Sequence, residues 1–180
     1  TSLGTGSVSV ASTAVAKAKD IIGNTKGVKA LVIGAGEMSE LTIKHLLSSG
    51  FDVVLTSRDL KKAQNLAATF LKETTRAQEI KIDVESYSEL TNLLARIPVM
   101  ITATSAPYPI ITKENAPSAS IDRYWFDIAV PRDIDENISL SGLEIFSVDD
   151  LQDIVNENMS LRAEQAKMAY SIVSRMSMEF

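Results

Sequence analysis

The chain is organised around residues 29–39, which read Lys29-Ala30-Leu31-Val32-Ile33-Gly34-Ala35-Gly36-Glu37-Met38-Ser39. An apolar run typical of a buried strand ends in a Gly-x-Gly turn, and a helical pattern begins directly after it. Gly34 permits a tight turn, and Gly36 has no Cβ to keep a phosphate away from the backbone. The N–H groups of the following helix then face the anion. The pattern predicts a dinucleotide pyrophosphate site over residues 34–39, with Ser39 at the third small position. A turn that merely joins a strand to a helix is the alternative.

The composition is that of an ordinary globular protein, with 45% hydrophobic and 23% charged residues. The absence of cysteine and the single histidine exclude disulfides and thiolate catalysis within this chain and argue against a zinc site. A net charge of −5 with no dense basic stripe argues against nucleic acid held by phosphate neutralisation. We find neither a signal peptide nor an apolar run near the roughly 20 residues of a membrane span, so we expect a cytoplasmic protein.

Strand and helix patterns alternate along the chain. Strands are predicted at residues 28–33, 51–56, 80–84, 99–103, 124–130 and 143–148. A helix that starts at Ser7 or Ser9 precedes the first strand, after a flexible opening segment over residues 1–6. Strands separated by helices predict parallel pairing with right-handed crossovers. The fold class is therefore α/β, a Rossmann-type doubly wound and mainly parallel sheet with a long C-terminal helix.

Three parts follow from these patterns. They are residues 1–24, an opening segment and a helix packed on the domain; residues 25–148, the Rossmann domain; and residues 149–180, a long helix. Asp149 or Asp150 is the predicted cap of that helix, which runs for about 30 residues, or roughly 45 Å. Because this exceeds what the domain needs, we expect the half beyond Ala163 to be exposed and to contact another surface. A helix folded back on the sheet is the alternative.

The corner after the second strand indicates which dinucleotide would bind. An NAD-specific site places a carboxylate roughly 20 residues past the glycines. Here the corner reads Leu55-Thr56-Ser57-Arg58, and the first carboxylate, Asp59, is interpreted as the cap of the next helix. Arg58 offers a permanently charged fork suited to a 2′-phosphate, and Ser57 adds a hydroxyl. The predicted cofactor is NADPH, with a solvated surface arginine as the alternative for Arg58.

A second loop is expected to border the same site. The fourth strand leads into residues 104–109, Thr-Ser-Ala-Pro-Tyr-Pro, at the sheet edge where Rossmann domains bind ligands. We expect this loop beside the nicotinamide, with Thr104 and Ser105 as candidate contacts. No nucleophile–base pair can be assembled from this sequence, so no catalytic residue is predicted. His45 is interpreted as a surface or boundary residue.

A cluster of carboxylates follows the fifth strand. It consists of Asp127, Asp133, Asp135 and Glu136. Such a cluster could suggest a metal site, but the flanking Pro131 and Arg132 favour a turn with solvated charges. No metal site is predicted.

The chain resembles glutamyl-tRNA reductase in four motifs that occur in the same order. They are Gly34-Ala35-Gly36-Glu37-Met38, Ser57-Arg58, Phe126-Asp127-Ile128-Ala129-Val130-Pro131-Arg132-Asp133-Ile134 and Val148-Asp149-Asp150-Leu151. The opening run, residues 6–12, is similar to that enzyme's approach to its cofactor domain. The resemblance covers essentially all 180 residues, and residues 126–134 are its specific part. The chain departs from the family at Ser39, where glycine is usual.

This resemblance implies an NADPH-dependent reduction of glutamyl-tRNA to glutamate-1-semialdehyde, an early step of tetrapyrrole synthesis. It implies that the nucleophilic cysteine and the glutamyl-tRNA contacts belong to a domain before Thr1, and that a dimerisation domain continues beyond Phe180. This chain would bind NADPH and deliver the hydride, and alone it would be inactive. A homodimer, no membrane, and handover of the product to the next enzyme of the pathway are also implied.

Two other classes of function remain open. A different NADP oxidoreductase of the shikimate-dehydrogenase type shares the glycine turn and the Ser-Arg corner, and a catalytic Lys/Asp pair in an attached substrate domain would mark it. A regulatory nucleotide-sensing module would bind the dinucleotide without a hydride acceptor.

Overall fold

A computed structural model of the chain describes the backbone of residues 2–73 and 79–178 and the side chains of residues 10–73 and 79–168. Helices and strands alternate through most of it. In chain order they are α1 (Ser2–Ile22), β1 (Lys29–Ile33), α2 (Glu37–Ser48), β2 (Asp52–Thr56), α3 (Leu60–Lys72), β3 (Ile82–Val84), α4 (Leu90–Arg96), β4 (Val99–Thr102), β5 (Arg123–Asp127), β6 (Leu143–Phe146) and α5 (Val148–Met178). A 3₁₀ turn, Tyr87–Glu89, precedes α4.

The six described strands form one sheet in the order β3-β2-β1-β4-β5-β6. Every pair of neighbours is parallel. In the centre, Leu31 of β1 lies opposite Val54 of β2 and Met100 of β4. The chain moves outward from β1 to β3 and then crosses to β4, so the order reverses between β1 and β4. This is a doubly wound sheet with a topological switch point, and the predicted fold class is confirmed.

The sheet separates two apolar cores. Ala30 and Val32 of β1 face a core that α1, α2 and α3 cover, whereas Leu31 and Ile33 face a core that α4 covers. Because β1 is buried on both faces, its sequence is a continuous apolar run rather than an alternating one. Each large side chain fully buried in these cores contributes about 1.5–3 kcal/mol.

Several predicted boundaries differ from the observed ones. The flexible opening segment expected over residues 1–6 is instead part of α1, which begins at Ser2. The fifth strand, predicted to reach residue 130, ends at Asp127. The Asp127 carboxylate accepts a hydrogen bond from the Ala129 N–H group at 3.1 Å, which turns the chain out of the strand. Ser86 and Glu89 have the spacing of a capping box, and Ser86 does cap the 3₁₀ turn, but the Glu89 side chain accepts a hydrogen bond from the Asn92 side chain instead of completing the box.

The long helix α5 begins with a reciprocal pair of hydrogen bonds. Ser147 Oγ accepts from the Asp150 N–H group at 3.2 Å, and Asp150 Oδ2 accepts from the Ser147 N–H group at 2.9 Å. The predicted cap at Asp149 or Asp150 is therefore corrected to Ser147, with Asp150 as its partner in a capping box.

Beyond its first turns α5 leaves the domain. Leu151 is fully buried, but every side chain from residue 156 to residue 168 is exposed. This confirms the expected exposure for residues 163–168, while the side chains beyond them lie outside the described residues. Met159, Leu161 and Met168 are large apolar side chains on this exposed stretch. None of the described helices has the length and hydropathy needed to cross a bilayer.

Arg123, at the start of β5, is a completely buried cation. Its Nη1 donates to the Leu94 carbonyl oxygen at 3.0 Å, near the end of α4, and its guanidinium lies 5.2 Å from the centre of the Trp125 ring. Nε and Nη2 have no hydrogen-bond partner among the described residues. Burial lowers the pKa of Arg123.

We expect Arg123→Met to leave the free energy of unfolding within about 1 kcal/mol of wild type or to raise it, because an incompletely paired buried charge is costly and methionine keeps much of the side-chain length. Arg123→Ala should lower it by about 2–4 kcal/mol, since it leaves a cavity. Urea unfolding measures both. Equal losses in the two variants would show that the polar contacts of Arg123 outweigh its packing.

Candidate functional site

A cavity of about 550 Å³ opens at the carboxyl ends of β1, β2 and β4, at the switch point of the sheet. Three loops form most of its wall, one after each of these strands. The residues that line it are Ile33, Gly34, Ala35, Gly36, Glu37, Met38, Ser57, Arg58, Asp59, Lys62, Tyr87, Ala103, Thr104, Ser105, Ala106 and Ile110. Its position and size are those of a ligand site in an open α/β sheet.

The structure brings together all the candidate contact residues except Ser39. Those that line the cavity are Gly34, Ala35, Gly36, Glu37, Met38, Ser57, Arg58, Thr104 and Ser105. Ser39 is fully buried beneath the glycine turn, and its Oγ has no hydrogen-bond partner among the described residues. Its hydroxyl packs against Gly34 rather than facing the cavity.

The two glycines of the turn have different roles. Gly34 has φ +116°, and a Cβ placed on it would lie 2.8 Å from the Ala103 carbonyl oxygen. Its N–H group donates to the Thr56 carbonyl oxygen at 2.9 Å, which ties the turn to the end of β2. Gly36 has φ −95°, and a Cβ placed there would meet no atom within 4 Å. The protein itself therefore requires glycine at position 34, whereas at position 36 the missing side chain leaves space beside the cavity.

The amino terminus of α2 forms a wall of the cavity that favours negative charge. Gly36 is its N-cap and supplies no side-chain hydrogen bond, so the first N–H groups of the helix have no capping partner from that residue. These groups and the positive end of the helix dipole favour negative charge at this wall of the cavity.

Arg58 stands at the adjoining wall with an exposed guanidinium between two tyrosine rings. Its Cζ lies 5.7 Å from the centre of the Tyr87 ring and 5.9 Å from that of Tyr108. Tyr87 follows β3 and Tyr108 follows β4, so Arg58 is contacted from both sides of the switch point. The neighbouring Tyr87 side chain, and to a lesser extent that of Tyr108, raises the pKa of Arg58 above its ordinary value. Arginine is permanently charged, and the two rings partly hold this cation in place before any ligand binds.

Lys62 adds a second cation to this end of the cavity. As predicted, Asp59 caps α3, and its Oδ1 accepts from the Lys62 N–H group at 3.1 Å. Sequence reasoning missed both Lys62 and Tyr87 as cavity residues. Lys62 could have been found, because it lies in the first turn of α3, close in the chain to Arg58 and to the end of β2. Tyr87 gives no such signal, because in the sequence it fits an apolar position of a helix.

Two carboxylates of the predicted acidic cluster are not solvated. Asp127 and Asp133 are completely buried, so the prediction of a turn with solvated charges is wrong for them, whereas Glu136 is exposed. The side chains of Asp127 and Asp133 accept hydrogen bonds from backbone N–H groups and from hydroxyls. Within the described part of the chain no group of three or more acidic or histidine side chains could hold a metal ion.

Asp127 organises the loop after β5. Its Oδ2 accepts from the N–H groups of Asp133 at 3.0 Å and Ile134 at 2.8 Å, and the Arg132 Nε atom lies 3.7 Å away. Burial raises the pKa of Asp127, while the hydrogen bonds from Ile134 and Ala129 oppose that rise. The loop between Asp127 and Asp133 contains a cis Val130–Pro131 peptide bond.

His45 lies in the last turn of α2, away from the cavity wall. The residue is half-buried, and its Nε2 has no hydrogen-bond partner among the described residues. This position agrees with its interpretation as a boundary residue.

The fold and the cavity define a Rossmann-type nucleotide-binding domain. The family model described as Shikimate / quinate 5-dehydrogenase matches residues 16–154, and the chain belongs to this family. The chain is also 78% identical over 180 residues to the glutamyl-tRNA reductase of Aliarcobacter butzleri and 48% identical over 173 residues to that of Wolinella succinogenes. The matches cover 100% and 96% of this chain but only 40% and 38% of those proteins. The resemblance found in the motifs is confirmed.

Solved structures agree with these relatives. Glutamyl-tRNA reductase from Methanopyrus kandleri superposes with a TM-score of 0.74 at 29% identity, over 93% of this chain and 42% of that one. The nucleotide-binding domain of glutamyl-tRNA reductase from Thermoplasma volcanium superposes with a TM-score of 0.64 at 18% identity, over 84% of this chain and 96% of that one. The second comparison shows the shared fold alone.

Proposed function

We propose that this chain is the NADPH-binding part of a glutamyl-tRNA reductase. The whole protein would reduce glutamyl-tRNA to glutamate-1-semialdehyde in tetrapyrrole biosynthesis. The observation that carries the cofactor assignment is the pair of cations, Arg58 and Lys62, at the end of the cavity that follows β2. The carboxylate that follows Arg58 in the chain, Asp59, uses its Oδ1 as the cap of α3. The assignment of the enzyme rests on the relatives named above.

The residues present fit a phosphorylated dinucleotide. The open space at Gly36 and the amino terminus of α2 would hold the pyrophosphate. Arg58 and Lys62 would hold the 2′-phosphate, with the Arg58 fork giving two directed hydrogen bonds. Residues 103–106 would border the nicotinamide, because they follow β4 on the other side of the switch point.

Bound NADPH would supply a hydride to an acyl group held elsewhere in the protein. Because the chain contains no cysteine, the nucleophile of a thioester mechanism must belong to another part of the enzyme. The role of this chain is then to bind the cofactor, orient its nicotinamide and present it at the carboxyl edge of the sheet.

The proposal includes a homodimer in the cytoplasm. The exposed apolar side chains of α5, Met159, Leu161 and Met168, support a contact between this helix and another surface. Binding of glutamyl-tRNA by a separate domain, and handover of the product to the next enzyme, stay predictions from the resemblance.

We expect the 180-residue chain to bind NADPH and to show no reduction of glutamyl-tRNA, because it lacks the required nucleophile. The full-length protein should oxidise NADPH when charged tRNA is added. Fluorescence titration measures the first result, and NADPH absorbance with clean protein measures the second. Turnover of glutamyl-tRNA by the chain alone would contradict this division of roles.

The same assay separates the alternatives. Shikimate with NADP⁺ serves as the control substrate, since the family model bears the name of shikimate and quinate dehydrogenases. Activity with shikimate but not with charged tRNA would favour that class. Cofactor binding without activity on either substrate would favour a nucleotide-sensing module.

A further inference from the structure

One wall of the cavity is held from beneath by a buried carboxylate. Asp133 is completely buried, and its Oδ2 accepts hydrogen bonds from Thr102 Oγ1 at 2.7 Å and from the Thr104 N–H group at 2.9 Å. Its Oδ1 accepts a further hydrogen bond from Thr104 Oγ1. Thr104 Oγ1 in turn accepts from the Ala106 N–H group at 3.3 Å. Asp133 thus fixes the segment of residues 104–106, which lines the cavity.

The far end of the same loop is bound to the same residue. The Asp133 carbonyl oxygen accepts from the N–H groups of Ile110 at 2.8 Å and Ile111 at 2.9 Å. Ile110 also lines the cavity. The side chain of Asp133 therefore holds the start of the loop after β4, and its backbone holds the end of that loop.

The charge of Asp133 sets the direction of the Thr104 hydroxyl. An ionised carboxylate only accepts hydrogen bonds, so Thr104 must donate its proton to Asp133. The lone pairs of the Thr104 oxygen are then free to accept from Ala106. An amide at position 133 presents an N–H₂ group on one side, which removes one of the acceptors that the two threonines use.

We propose that Asp133 is a positioning residue for the nicotinamide half of the cofactor and acts through Thr104. Asp133 does not line the cavity, and it sets the shape of the wall formed by residues 104–106. The inference rests on the proposed function, because the nicotinamide is assigned to this wall by its place after β4. The adenosine half is assigned to Arg58 and Lys62, and Asp133 reaches it only indirectly, through Tyr108 of the same loop, whose ring contacts Arg58.

The test compares NADPH with 2′,5′-ADP, which carries the 2′-phosphate but no nicotinamide. In the 180-residue chain, Asp133→Asn should weaken NADPH binding about 10-fold, as expected when hydrogen bonds to a charged group are lost. Binding of 2′,5′-ADP should stay within about twofold of wild type, because Asp133 reaches Arg58 only through the ring of Tyr108, and Tyr87 still holds Arg58 from the other side. Isothermal titration at one salt concentration measures both affinities.

Asp135→Asn is the matched control. It makes the same chemical change two residues away, where the carboxylate accepts from the Asn137 N–H group and does not touch Thr104. Thr104→Val is a second test that leaves Asp133 in place, so the proposal remains testable if the asparagine variant does not fold. Thr104→Val should also weaken NADPH selectively, and the double variant should lose less than the two single losses combined, because the two residues act in series.

Three outcomes would overturn the inference or its premise. Equal losses for NADPH and 2′,5′-ADP in the Asp133 and Thr104 variants would assign these residues to the fold alone. Unchanged NADPH binding in a folded Asp133→Asn protein would overturn the positioning role. Wild-type protein that binds neither ligand would contradict the proposed function itself, independently of Asp133.

Discussion

Arg58→Ala should weaken NADPH binding by about 10- to 150-fold, the range expected for a lost hydrogen bond to a charged group. The affinity for NADH, which has no 2′-phosphate, should scarcely change, so the preference for NADPH should fall by nearly the full factor. The guanidinium is already placed between Tyr87 and Tyr108, and little ordering is needed when the phosphate binds. Titration of both cofactors at one fixed salt concentration measures the change, because exposed charges are screened.

Lys61→Ala is the control for this experiment. Lys61 is an exposed cation in the first turn of α3, three residues after Arg58, and it does not line the cavity. Its loss should leave the preference for NADPH nearly unchanged. Arg58→Asp should go further than alanine, since it adds repulsion toward the phosphate and a partner for a free ribose hydroxyl. Equal losses for NADPH and NADH would mean that Arg58 supports the fold or the adenine end, and the NADPH assignment would lose its main support.

Gly34→Ala should lower the free energy of unfolding by about 2–5 kcal/mol, because it combines backbone strain with a steric clash. The φ of +116° disfavours any residue with a Cβ, and that Cβ would lie 2.8 Å from the Ala103 carbonyl oxygen and 2.9 Å from Ser39 Oγ. The serine can rotate away, but the carbonyl belongs to the end of β4 and cannot. Urea unfolding of the unliganded chain measures the loss.

Gly36→Ala, compared with Gly34→Ala, separates an effect on cofactor binding from an effect on folding. Its φ of −95° is open to alanine, and no atom lies within 4 Å of the new Cβ. We expect the free energy of unfolding to change by less than about 1 kcal/mol. Binding of NADPH should nevertheless weaken at least about 10-fold, since the methyl group would occupy the approach of the phosphates. A variant that is destabilised like Gly34→Ala, or that binds NADPH normally, would contradict the assigned role of Gly36.

The strands and their parallel pairing could be predicted because their signals are local. The apolar run before Gly34 and the helical pattern after it each need only a few neighbouring residues, and the parallel pairing follows from their alternation. Arg58 and the glycine turn could be found for a related reason, since both directly follow a strand and ligand sites lie at those ends. The boundaries were less accurate. The carboxyl end of β5 depends on a side-chain hydrogen bond of Asp127, and the start of α5 depends on those of Ser147 and Asp150.

The buried carboxylates could not be predicted from their surroundings in the sequence. Asp133 lies in a run of charged and turn-forming residues, which favours solvent exposure. Its partners, Thr102 and Thr104, are separated from it by 31 and 29 residues. Only the packing of β4 beside β5 brings them together. The prediction that Ser39 contacts the cofactor failed for another reason. Its place in the glycine motif does not show whether its hydroxyl faces the ligand or the interior of the protein.

The long helix α5 has a mechanical consequence for the domain. Its described side chains contact the domain near its start, where Ser147 and Asp150 form the capping box, Leu151 is buried and Ile154 packs against the core, whereas those of residues 156–168 are exposed. Its 31 residues amount to a rod of about 46 Å, so a tilt of about 10° at the first turn displaces the far end by about 8 Å. If the far end of the helix is bound to another surface, the same small tilt displaces the cavity relative to that surface by a similar distance. The contacts around Leu151 therefore set the angle between the helix and the sheet, and with it the position of the far end of the helix relative to the cavity.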